Sequence, residues 1–82
     1  MQNKIKYKTF NKKNLCIKIK SFSNMYLFVS KGEVIVYQKN KKIIIKKMTI
    51  STLYKNKNYR IDSINGIFNI YYLNANLKYF NG

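Results

Sequence analysis

The stretch that decides the fold is Asn14–Gln38, NLCIKIKSFSNMYLFVSKGEVIVYQ. At its start, Ile17 and Ile19 alternate with Lys18 and Lys20. Because successive side chains of a strand point to opposite faces, this pattern is typical of a strand with one buried face and one solvated face. We therefore predict β-structure here and look for the same pattern in the rest of the chain.

Short apolar segments separated by turn signals continue along the whole sequence. Ser21–Asn24 and Ser30–Gly32 flank the apolar run Met25–Val29, and Asn65-Gly66 is a further turn signal. About five to seven short strands, with turns about every 8–12 residues, indicate an all-β sandwich or a small closed barrel. Closure is favoured at this size, because an open sheet would expose its edges and lack a second layer.

The charge balance points to a polyanionic partner. The 82 residues include 17 Lys+Arg against 2 Asp+Glu, which gives a net charge of +15, and Arg60 is the only arginine. Lys, Asn, Ile and Tyr have A/T-rich codons, so codon drift supplies part of this excess. It does not explain the missing acids, whose codons are also mostly A/T. A small body this positive needs a polyanion, with nucleic acid the first candidate and an anionic membrane surface the second.

The same composition excludes most enzyme classes. There is no histidine, Cys16 is the only cysteine, and Glu33 and Asp62 are the only acids. A histidine acid–base, a Ser–His or Cys–His nucleophile and a Cys/His zinc site are thus ruled out. We predict no enzyme and no cofactor or metal site, with Cys16 as a small buried hydrophobe. Asp62 is expected to fix the Asn65-Gly66 turn or to pair with Arg60.

Lysines in three segments are candidates for phosphate contacts. Residues 1–13 are predicted to be a basic N-terminal arm, disordered alone and ordered on RNA, ahead of a single barrel domain at 14–82. A short strand at Ile5–Thr9 is the alternative within this arm. Tyr37–Lys47 is predicted to be a projecting basic hairpin, and the strand at Lys18 and Lys20 offers a third group. The alternative for each group is a solvated surface. The candidate RNA-binding residues are Lys4, Lys6, Lys8, Lys12, Lys13, Lys18, Lys20, Lys39, Lys41, Lys42, Lys46, Lys47, Arg60 and Lys78.

Aromatic side chains have two possible uses in such a protein. They can stack on unpaired bases or fill the core with their hydroxyls at the rim. The stacking candidates are Tyr7, Tyr37, Tyr54 and Tyr79. The residues assigned to the core or to subunit contacts are Phe28, Phe68, Tyr71 and Tyr72.

Two blocks of the chain resemble the bacterial and organellar form of universal large ribosomal subunit protein 14. Leu15–Ile19 is similar to the family's Leu-Met-Cys-Ile-Arg/Lys-Ile/Val strand, and Gly32–Val36 to its Gly-Asp-Val-Ile-Val strand. Tyr59–Ile70 resembles its later strand pair, and Leu77–Gly82 its Gly-Thr-Arg-Ile-Phe-Gly segment. The blocks cover most of residues 14–38 and 59–82, while the middle of the chain is shorter than in the family.

The resemblance implies a closed five-stranded barrel that binds and orders the rRNA of a large ribosomal subunit. The implied partners are that rRNA and neighbouring ribosomal proteins, with neither a membrane nor a small-molecule substrate. An organellar ribosome, mitochondrial or plastid, is the expected location, and the cytosolic ribosome of an AT-rich organism is the alternative. Two other functions stay open: an accessory subunit of an organellar membrane complex, and a free-standing nucleic-acid-binding barrel.

Overall fold

The protein folds as β-strands throughout its described length. The computed structural model describes residues 5–21, 23–73 and 79–81. In these residues there is no helix, and so none that can cross a membrane. The nine strands found there are β1 (Ile5–Phe10), β2 (Leu15–Ser21), β3 (Met25–Lys31), β4 (Glu33–Gln38), β5 (Lys41–Lys46), β6 (Ile50–Leu53), β7 (Lys57–Ser63), β8 (Ile67–Leu73) and β9 (Tyr79–Asn81). The all-β prediction is confirmed.

These strands form two antiparallel sheets, and the predicted closed five-stranded barrel is wrong. The smaller sheet has the strand order β1-β8-β3-β6, and the larger sheet has the order β5-β4-β7-β2-β9. Only β4 and β5 are consecutive strands that pair with each other. Closure was expected because a lone sheet lacks a second layer. In this fold the second sheet supplies that layer, so both sheets bury one face without closing into a ring.

One apolar core lies between the sheets, and the alternation in the sequence explains it. Ile17 and Ile19 of β2 are buried from the larger sheet, and Leu27 of β3 is buried from the smaller one. Phe10 and Phe68 stack with their ring centroids 4.9 Å apart. Each fully buried aliphatic or aromatic side chain contributes about 1.5–3 kcal/mol relative to an exposed one. Because Ile17 and Ile19 face this shared core, the alternating residues Lys18 and Lys20 point outward.

Residues 5–10 belong to the sandwich, which corrects the prediction of a basic N-terminal arm. Strand β1 pairs with β8 along its whole length, from Ile5 opposite Leu73 to Phe10 opposite Phe68. Phe10 is buried, and this anchors the strand to the core. Lys6 and Lys8 lie on the same side of this edge strand as Phe10. Lysines that point inward at an edge discourage pairing with another chain, so they have a structural use here.

The predicted basic hairpin is present, but its lysines do not form one cluster. Strands β4 and β5 pair from Gln38–Lys41 to Glu33–Lys46 around a turn at Lys39, whose φ is 52°. Lys42 and Lys46 are four positions apart on β5, which separates them by about 14 Å. The hairpin ends with β5 at Lys46, and the chain then crosses to β6 of the smaller sheet.

The connections between the two sheets are tight turns with close backbone contacts. At Gly32, between β3 and β4, φ is +69°, a conformation that glycine adopts without strain. At the crossing from β7 to β8, the buried Ser63 hydroxyl accepts a hydrogen bond from the Gly66 amide (2.9 Å) and donates one to the Gly66 carbonyl (3.2 Å). The predicted turn at Asn65-Gly66 is therefore real, but it connects two sheets and is fixed by Ser63.

Candidate nucleic-acid interface

A row of charged and aromatic side chains crosses the outer face of the larger sheet. Lys18 of β2 lies opposite Arg60 of β7, which lies opposite Tyr37 of β4, which in turn lies opposite Lys42 of β5. Adjacent strands are about 4.8 Å apart, so the row spans about 14 Å. Residues that are distant in the sequence are thereby placed side by side.

Arg60 at the centre of this row is held by two contacts. Its guanidinium carbon lies 4.2 Å from the centroid of the Tyr37 ring. Its Nη2 donates a hydrogen bond to Oδ2 of Asp62 at 3.3 Å, which confirms the predicted pairing of these two residues. The side chain is still 46% exposed. The structure thus presents an oriented cation with one face on an aromatic ring, one nitrogen on a carboxylate and the remainder partly open to solvent.

A groove with a volume of about 490 Å³ runs beside Arg60. Ile19 and Tyr59, both buried, contribute to its lining. We call it the basic groove and define it by its remaining lining residues. These are Lys18, Lys20, Tyr37, Lys39, Asn58 and Arg60. Four cations around an aromatic ring in one open groove are suited to phosphate groups and planar bases.

The opposite end of the same outer face carries both acids of the chain. Glu33 lies opposite Lys46 in the register of β4 and β5, and Asp62 lies opposite Cys16 in that of β7 and β2. Both acids line a second, smaller depression at this end. The outer face is therefore polarised, with its uncompensated positive charge in and around the basic groove.

Cys16 lies half-buried on this outer face, which corrects its assignment as a buried hydrophobe. It is on the side of β2 opposite the buried Ile17 and Ile19. A hydrogen bond to the Asp62 carboxylate, together with partial burial, raises the pKa of the Cys16 thiol. The thiol is consequently protonated and weakly nucleophilic at neutral pH.

The structure describes most of the predicted RNA-binding residues, and these fall into two groups: a groove group and a dispersed group. The groove group, with its immediate neighbour in the row, consists of Lys18, Lys20, Lys39, Arg60 and Lys42. The dispersed group, placed on β1, in the β1–β2 connection and along or after β5, consists of Lys6, Lys8, Lys12, Lys13, Lys41, Lys46 and Lys47. Lys4 and Lys78 lie outside the described residues.

The sequence analysis identified the groove cations but not the contacts that they make with neighbouring side chains. Tyr37 was a stacking candidate, whereas Asn58 was not singled out, although it precedes Arg60 by the two-residue spacing of one strand face. The contact between Arg60 and Tyr37 depends on the pairing of β4 with β7, which no local pattern reveals. Of the other stacking candidates, Tyr54 is exposed in the β6–β7 connection, and the Tyr79 side chain lies outside the description.

The outer face of the smaller sheet is rich in aromatic residues, and apart from Lys31, which lies opposite Ile67 at the end of β3, its described residues are uncharged. Tyr7 and Tyr71 lie with ring centroids 5.8 Å apart, and Tyr26 lies opposite Tyr71 in the neighbouring strand pair. The polar residues on the same face, Thr9 and Asn69 among them, carry no charge. We call this surface the aromatic face, and it consists of Ile5, Tyr7, Tyr26, Phe28, Ile50, Tyr71 and Leu73. Of the residues assigned to the core or to contacts, Phe68 is in the core and Tyr72 packs against it.

The fold and the groove define the protein as an all-β, two-sheet protein with the basic groove on one outer face and the aromatic face on the other. No family model, curated protein or solved structure matches the chain. The likeness to the ribosomal family therefore stays a prediction that rests on the sequence blocks alone.

Proposed function

We propose that this protein binds RNA through the basic groove. The observation that carries the proposal is that Lys18, Lys20, Lys39 and Arg60 line one groove together with Tyr37, whose ring Arg60 contacts. Lysine and arginine neutralise phosphates and release counterions, and this is the dominant source of affinity in such complexes. Because phosphate contacts position a protein without reading sequence, specificity would come from the shape of the RNA.

Within this function, we place the protein in a large ribosomal subunit as a structural constituent, in an organelle or an AT-rich cell. The support is the similarity of Leu15–Ile19 and Gly32–Val36 to strands of the ribosomal family, together with the net charge of +15. Such a constituent would screen repulsion between rRNA segments while its sheets fix their geometry. The second candidate is a free-standing RNA-binding protein, which is favoured by a sandwich in place of the family's barrel.

Sedimentation separates the two candidates. We expect the protein, followed by antibody in a sucrose gradient of lysate from its source cells, to sediment with the large subunit at moderate salt. Because phosphate contacts are salt-dependent, high salt should release it. Recovery only at the top of the gradient at low and moderate salt would contradict the ribosomal proposal. Retention of purified protein on RNA in the same buffer would then favour the free-standing alternative.

The aromatic face is where we place contact with a neighbouring protein of the particle. The seven residues that define it carry no charge, since Lys31 lies beyond them at the end of β3, and Ile5 and Ile50 are 70% and 65% exposed. Apolar patches of this kind on small proteins mark protein contacts. A second copy is a poor occupant, since it would bring another +15 charge to the pair. An uncharged surface on a different protein fits this face better.

Replacing Tyr26 by lysine tests this assignment. Tyr26 is 45% exposed and lies on β3, one of the central strands of the smaller sheet. We expect Y26K to bind isolated RNA as tightly as the unaltered protein but to leave the particle at lower salt, because the added charge must be desolvated in an apolar contact. The matched control, Asn11→Lys, adds the same charge at an exposed position in the β1–β2 connection and should be released at the same salt as the unaltered protein. Equal release of Y26K and the unaltered protein would contradict the assignment.

A further inference from the structure

Arg60 is oriented more strictly than a phosphate contact requires. A lysine serves a phosphate as a flexible point charge, whereas a planar guanidinium is required for stacking. Here the plane is fixed from two directions, by the Tyr37 ring at 4.2 Å and by the Asp62 carboxylate at 3.3 Å. Holding the cation in one place costs the folded protein side-chain freedom, and it lowers what a bound ligand must spend on ordering it.

The surroundings of Arg60 suit an unpaired nucleobase. The groove beside it is open and larger than one planar base, and Asn58 lines it with an amide that can donate and accept hydrogen bonds. Lys18, next to Arg60 in the cross-strand row, and Lys39, in the hairpin turn, are positioned for the phosphates on either side. A paired base in a duplex is already stacked on its neighbours and has no free face to offer.

We propose that the basic groove selects single-stranded RNA by stacking one unpaired base on the Arg60–Tyr37 pair, while the flanking lysines hold the adjacent phosphates. This inference rests on the proposed RNA binding and adds the kind of RNA bound. Bases stack on aromatic rings and on arginine planes in known modes of RNA recognition. Asp62 is a positioning residue in this arrangement, because it acts only through Arg60.

The test compares two single strands of equal length by fluorescence anisotropy: an oligouridylate, and the same ribose–phosphate chain without bases. We expect the unaltered protein to bind the oligouridylate about fivefold or more tightly, the lower end of what one stacked base contributes. R60K, which keeps the charge but removes the plane, should lose this preference and bind both strands alike. Lys46→Arg, a charge-conserving change at the acidic end of the same face, is the matched control and should keep it.

The outcomes separate the inference from the proposed function. If the unaltered protein binds both strands equally and tightly, RNA binding stands and base stacking is overturned. Base stacking is also overturned if R60K weakens binding to both strands by the same factor, since Arg60 then acts as a charge alone. If neither strand binds at low salt, the proposed function itself fails. Thermal melts of R60K and of the unaltered protein that agree within a few degrees exclude misfolding as the cause.

Discussion

Replacing Lys18, Lys20 and Lys39 together by glutamine is expected to weaken binding to single-stranded RNA about 100-fold at about 0.1 M salt. All three side chains line the basic groove and are exposed, so the change removes charge without disturbing the core. Each lost phosphate contact lowers the slope of log affinity against log salt by about 0.7 on single strands. The slope should thus fall by about 2, which a salt titration of RNA binding measures directly.

A second triple variant shows whether the affinity for RNA depends on the position of the lysines or only on the net charge of the protein. Lys31, Lys46 and Lys47 are exposed residues at the ends of β3 and β5, away from the basic groove. Their replacement by glutamine removes the same charge from the chain, and we expect less than about a threefold loss of affinity. Comparable losses in the two triple variants would show that the whole charged surface, and not the groove, binds RNA.

Replacing Gly66 by alanine is expected to lower the free energy of unfolding by about 2–3 kcal/mol, since overpacking a tight site costs this much. A Cβ at this position would lie 2.8 Å from the Glu33 carbonyl oxygen, 2.9 Å from the Ser63 hydroxyl and 3.1 Å from Val34 Cγ2. The first of these is backbone, which cannot move without displacing β4. For a domain of this size, the thermal midpoint should fall by about 10–20 °C.

The matched control for this change is Asn65→Ala, one position away. Asn65 is exposed, and surface substitutions of this kind change stability by about 0.5 kcal/mol or less. Both variants are best melted in about 0.5 M salt, where repulsion between the lysines is screened. Midpoints for Gly66→Ala and the unaltered protein within about 3 °C of each other would show that the β7–β8 crossing is looser than the structure indicates.

The strands themselves were accessible from the sequence because their alternation is local. Strand β2 follows the alternation of Ile17 and Ile19 with Lys18 and Lys20, and β3 contains the apolar run Met25–Val29. The predictions were wrong where the structure of a segment depends on the residues that it packs against in the core. Residues 5–10 looked like an arm because their lysines dominate the composition. Burial of Phe10 against Phe68 is what makes them a strand.

The candidate site was likewise only partly predictable from the sequence. Composition alone indicated a polyanion partner and excluded histidine chemistry, and single-strand periodicity placed Lys18 and Lys20 on a solvated face. Neither composition nor periodicity showed that Arg60 contacts Tyr37. Nor did they show that Lys42 and Lys46 lie at opposite ends of the outer face of the larger sheet. The first fact follows from the pairing of β7 with β4, and the second from the pairing of β4 with β5, which sets Lys42 opposite Tyr37 and Lys46 opposite Glu33.

The residues alone were enough to predict an all-β protein with an excess of positive charge and few acids. These properties depend on residue type and on a two-residue period, and both are read directly along the chain. Neither property indicated that the strands form two sheets instead of a ring, that the groove cations line one groove with Tyr37, or that aromatic side chains cover most of the other outer face. The physical reason is that each of these features is set by register between strands far apart in the sequence, and burial of a shared core selects that register.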